Sequence, residues 1–136
     1  MLAHNVAIVN IGAEMPSTVI LHLAAALAAL ALGAAILVRR KGTPSHKALG
    51  RVWVGLMASV ALSSFWIFEL RRGAGPSWIH LLSVWTLVAL AGALYAIRRG
   101  NVPAHRRFMI GTFVGLAGAG GFALAPGRVL YRFLFA

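Results

Sequence analysis

Four long apolar runs, separated by short basic or glycine-rich breaks, set the pattern of this chain. The first extends from Pro16 to Val38, with only Ser17, Thr18 and His22 as polar positions. The second extends from Pro44 to Leu70 and is densest between Val52 and Phe68; the third covers Pro76 to Ile97. The fourth starts at Pro103 and continues to about Leu124, ahead of Pro126-Gly127. A bilayer-spanning helix needs ~20 residues, so each run predicts one span. Every run opens on a proline, which a first helical turn tolerates because the missing N–H has no intrahelical partner there. Pro126 marks a stop.

The runs are not independent. His22 opens the first, Arg39-Arg40 close it, and Pro44-Ser45-His46 follow; His80 opens the third, Arg98-Arg99 close it, and Pro103-Ala104-His105 follow. His46 comes 24 positions after His22, and His105 comes 25 after His80. Gly55-Leu56 and Gly115-Leu116 recur at similar depth. The expected fold is an all-α integral membrane bundle of four transmembrane helices, built as two tandem repeated helical hairpins (16–70 and 76–124). Residues 1–15 form an N-terminal tail, 16–124 the single transmembrane domain, and 125–136 a C-terminal tail with an interfacial amphipathic segment from Val129.

Composition supports lipid as the solvent. Of the 136 residues 60% are apolar and 11% charged, and the mean hydropathy is +0.85. A soluble domain of this size could not hide that much apolar surface. The formal charge of +11 does not read as nucleic-acid binding, because the basic residues flank apolar runs instead of lining a polar face. Nine of them surround the first and third connections, and only Arg71, Arg72, Arg128 and Arg132 lie elsewhere. The positive-inside rule then puts those two connections in the cytoplasm and both termini outside, in a cell inner membrane. Trp53, Trp66, Trp78 and Tyr95 read as interfacial aromatics, and Trp85 as a deeper packing residue. Small residues at four-residue spacing (Ala25, Ala29, Gly33; Gly55, Ser59, Ser63; Gly111, Gly115, Ala119) predict close helix approach, or room for a flat cofactor in span one.

Chemistry narrows to the histidines. There is no cysteine, and Glu14 and Glu69 are the two acidic residues. Thiolate metal sites are therefore excluded, and little scope is left for paired-carboxylate catalysis. No phosphate loop, dinucleotide fingerprint or nucleophile elbow is present, and the serines are scattered. The topology puts His22 and His80 near the outer surface and His46 and His105 near the inner one. At 1.5 Å per residue the two levels lie ~20–25 Å apart. A pair of imidazoles on facing helices can hold one haem iron from both sides. With no covalent attachment motif, the haem would be b type. Arg39 and Arg106 are candidate propionate partners inside, and Arg128 outside. His22, more than a turn deep, makes the outer level the better site; His46 and His105 sit in basic helix starts, where an ordinary interfacial histidine is the plainer reading.

Two resemblances follow. Leu49-Gly50-Arg51-Val52 after His46, His105-Arg106-Arg107 and Pro126-Gly127-Arg128 resemble the bacterial membrane proteins grouped as domain-of-unknown-function family 2306, over nearly the whole chain. That family implies no established activity. The histidine layout is also similar to the four-helix core of the cytochrome b561 superfamily, whose first and third, and second and fourth, helices supply the ligands of two b haems. That resemblance implies His22/His80 and His46/His105 as ligand pairs of a b-type cytochrome oxidoreductase passing electrons across or along the membrane. Quinone, a small reductant or a redox partner protein would be donor or acceptor. A small transporter or channel, and a non-catalytic membrane subunit with no cofactor, are the rival functions. The sequence leaves the oligomeric state open.

Overall fold

The computed structural model describes residues 17–70, 78–126 and Phe135. The N-terminal tail, Arg71, Arg72, Arg128 and the expected segment from Val129 lie outside the described residues, as does the Trp78 side chain. Four helices form: α1 (Ser17–Val38), α2 (Pro44–Leu70), α3 (Trp78–Arg98) and α4 (Val102–Ala123). Among the described residues there is no strand. α1, most of α2 (Pro44–Ile67) and most of α3 (His80–Arg98) are long and apolar enough to cross a membrane. α4 has the length of α1, but His105, Arg106, Arg107 and five glycines dilute its apolar character.

The connections at the basic end are built by local chemistry. Lys41 Nζ donates to the carbonyls of Ile36 (2.6 Å), Leu37 (2.8 Å) and Arg39 (3.0 Å), satisfying acceptors that the last turn of α1 leaves open. Gly42 turns the chain at φ +80°. Thr43 Oγ1 then accepts the His46 N–H at 3.1 Å, capping α2, whose first residue is Pro44. The 99–101 connection is tighter. Gly100 takes φ +74°, its N–H reaches the Ile97 carbonyl, and the Asn101 N–H reaches the Ala96 carbonyl at 2.8 Å. Asn101 Oδ1 accepts the Ala104 N–H at 3.1 Å, so one residue closes α3 and starts α4.

Helices adjacent in the chain pack side by side, and α4 returns to touch α1 more lightly. α1 and α3 therefore lie diagonally across the bundle, as do α2 and α4. The core joins Ala29, Trp53, Met57 and Leu90, with Leu32, Ile36, Met109, Phe113 and Leu116 packed around them.

This core corrects three expectations. Trp53 is no interfacial residue: it is 2% exposed, and its indole N–H donates to the Ala29 carbonyl at 2.8 Å. Trp85 is no packing residue: it is 58% exposed on the bundle's outside. The room expected beside the small residues of α1 is filled by protein rings. A Cβ on Gly33 would come within 2.7 Å of both Phe113 Cδ2 and Trp53 Nε1. In α4, by contrast, the glycines do not serve close packing among the described residues. A Cβ on Gly111 or Gly118 would meet nothing within 4 Å, and one on Gly115 would meet only Leu82, at 3.9 Å.

Candidate functional site

The histidines occupy two levels, one near each end of the bundle, with the dry layer of Trp53, Met57, Leu90 and Phe113 between them. At the end away from the basic connections, α2 receives both rings. His22 Nδ1 lies 2.7 Å from Ser63 Oγ, and the Ser63 hydroxyl lies 3.1 Å from the Val60 carbonyl. When the Ser63 proton goes to the Val60 carbonyl, His22 donates from Nδ1–H to Ser63 and the neutral ring carries its lone pair on Nε2. His80 packs against Phe65 of α2, with ring centroids 5.6 Å apart and planes tilted by 46°. Beside them Ser64 Oγ lies 2.6 Å from the Ala61 carbonyl and 2.5 Å from Ser83 Oγ, so the two hydroxyls share a hydrogen bond between α2 and α3.

These serines escaped the sequence reading, which took them as scattered. Two signals pointed to them. Ser63-Ser64 falls at the depth of His22 in an otherwise apolar run, and Ser83 lies one helical turn after His80, on the same face. In lipid a polar side chain needs an internal partner. Serines and histidines at one depth therefore satisfy one another.

At the basic end, His105 Nδ1 lies 2.9 Å from the Ala93 carbonyl of α3. The proton must be on Nδ1, which leaves the Nε2 lone pair free and fixes the ring plane. A backbone carbonyl orients metal-bound histidines in the same way. His46 is half-buried, and its Nδ1 is buried without a hydrogen-bond partner among the described residues. His46 and His105 are within electrostatic reach of each other, and Lys41 is close as well. Both rings are half-buried.

The candidate cations diverge. The Arg39 guanidinium donates to Ser45 Oγ at 2.8 Å, one residue from His46. Arg106 is exposed and lines an outward concavity of α4. Arg128 lies outside the described residues. Among the described residues no three His, Asp or Glu side chains cluster as a metal site. A metal at either level would need ligands beyond such a pair, which a porphyrin carries with it.

The whole arrangement falls within one family pattern. A family model described as "Predicted membrane protein (DUF2306)" matches residues 19–131. The chain belongs to this family. The match reaches into all four helices and includes all four histidines of the two levels, and its description as a membrane protein agrees with the three helices long and apolar enough to span a bilayer. No curated protein and no solved structure matches it.

Proposed function

We propose that this DUF2306 protein is a b-type cytochrome that carries electrons across or along the membrane through bis-histidine haem. The observation that carries the reading is at the basic end. His105 is locked by the Ala93 carbonyl with Nε2 free, and His46 keeps a buried ring nitrogen that has no hydrogen-bond partner among the described residues. The two residues sit on diagonal helices and within electrostatic reach. A buried, unsatisfied polar atom costs free energy unless a ligand takes it. His22 and His80, on the other diagonal pair, would form the second site, with Ser63 orienting His22. We place the basic-end pair first, because the Arg39 guanidinium lies close by, on Ser45 next to His46. Haem iron with two imidazole ligands supplies one-electron transfer and leaves no open position for oxygen.

The residues of this chain would do the rest. His46, His105, His22 and His80 hold the rings, and Ala93 and Ser63 set their tautomers. Arg39 offers a propionate partner at the basic end, and Arg128 is a further cation. Trp53, Met57, Leu90 and Phe113 exclude water between the levels. In this reading the two hairpins are tandem copies. The 39–43 and 99–101 connections face the cytoplasm, and both termini lie outside an inner membrane. Quinone, a small reductant or a redox protein would be the electron partner. The test is a reduced-minus-oxidised spectrum of protein purified from haem-replete cells. A b-type α band that falls in His46→Ala and His105→Ala is expected, and colourless protein would sink the idea.

A further inference from the structure

The outward face of α4 has a feature that electron transfer does not use. Arg106 and Arg107 are both exposed, and neither guanidinium is committed to a hydrogen bond or ion pair among the described residues. Three other cations of the same end are committed: Arg39 to Ser45, Lys41 to the end of α1, and Arg99 to Tyr95. The two arginines line a concavity of about 620 Å³ with Val102, Pro103, Ile110 and Gly111. Along the helix the exposed stripe continues through Val114, which is 60% exposed, Ala117, Gly118 and Gly121. This stripe is apolar and nearly flat. A Cβ on Gly111, Gly118 or Gly121 would meet nothing within 4 Å, so no other part of the described chain covers it.

We propose that this face seats one acidic phospholipid, its phosphate held by Arg106 and Arg107 and one acyl chain lying along Gly111, Val114 and Gly118. Charge complementarity selects the occupant. Guanidinium groups bind phosphate oxygens bidentately, and basic pockets beside transmembrane helices take anionic headgroups. The flat apolar stripe directly beyond the arginines matches an acyl chain and gives a free phosphate nothing to rest on. Missing side chains at Gly111 and Gly118 leave a trough beside Ile110 and Val114, which a tail can fill at van der Waals distance.

The experiment is native mass spectrometry of the full chain in detergent, titrated with dioleoyl-phosphatidylglycerol, dioleoyl-phosphatidylcholine or glycerol 3-phosphate. Expected are one retained phosphatidylglycerol per protein, weak retention of phosphatidylcholine, and no competition from glycerol 3-phosphate. Arg106→Gln with Arg107→Gln should lower phosphatidylglycerol retention about 30-fold. Lys47→Gln with Arg51→Gln removes the same charge at exposed positions and should leave retention unchanged. Gly111→Leu, at a position with open space, should fold and lower retention as well. Equal losses in the two double variants would mean a diffuse charge effect and overturn the proposal. Full competition by glycerol 3-phosphate would overturn it too. So would a Gly111→Leu variant that keeps its lipid but loses a dimer, since a second copy would then be the occupant.

Discussion

Trp53 of α2 donates its indole N–H to the Ala29 carbonyl of α1 at 2.8 Å, and the two residues are 2% and 0% exposed. Ala29 has no side chain beyond Cβ, which leaves room for the N–H edge of an indole to reach that turn. Trp53→Phe keeps most of the ring and loses the hydrogen bond, at a cost of about 1 kcal/mol. Trp53→Ala opens the centre of the bundle and should cost about 3–5 kcal/mol. Thermal unfolding in detergent would rank the two. Equal, small losses would mean that Trp53 is not at the packing centre.

Gly33 makes the complementary prediction. Its added Cβ would stand 2.7 Å from Phe113 Cδ2 and from Trp53 Nε1, so one of these two rigid rings would have to shift. Gly33→Ala should therefore destabilise the fold by about 1–3 kcal/mol, although alanine is the better helix former. Gly118→Ala, where the same Cβ meets nothing within 4 Å, should be neutral or slightly stabilising. The pair separates packing from propensity in one measurement.

The same residues show why part of the fold was legible and part was not. Helix ends are local, and Pro44 and Pro103 announced two of them within a residue. The inward face is not local. In lipid the outside of a helix is as apolar as its inside, so periodicity cannot say whether Trp53 or Trp85 turns to the core. Only the steric fit between Trp53 and the small residues of α1 decides it. The candidate site divides similarly. The four histidines and their two levels followed from spacing, whereas the Ser63 and Ala93 partners depend on how neighbouring helices meet.

Asn101 couples helix ends to the basic-end histidine. Its side chain caps α4 through Ala104, the residue before His105, and its backbone N–H closes α3 on Ala96. Asn101→Ala should cost about 1 kcal/mol, and Asn101→Asp should keep the cap. Gly100→Ala, at φ +74°, should cost about 1 kcal/mol through backbone strain. Protease sensitivity at this connection would report both, rising in N101A and G100A and staying at the wild-type level in N101D.

Ser63→Ala discriminates between a structural and a ligand-orienting role for the His22 hydrogen bond. A bond between helices in lipid contributes about 0.6 kcal/mol on average, so on stability alone the change is small. If His22 ligates haem, Ser63 fixes the tautomer that presents Nε2, and removing such an outer partner weakens metal binding by about 10–100-fold. Ser63→Ala should then lower the haem content and shift the midpoint potential of one site, leaving the signal that depends on His46 and His105 unchanged. Potentiometric titration of S63A beside H22A and H105A reads this directly. A shift of both sites together would mean that Ser63 acts only through the stability of the bundle. Unchanged haem content and potential in S63A would remove the far-end pair from the proposal and confine it to His46 and His105.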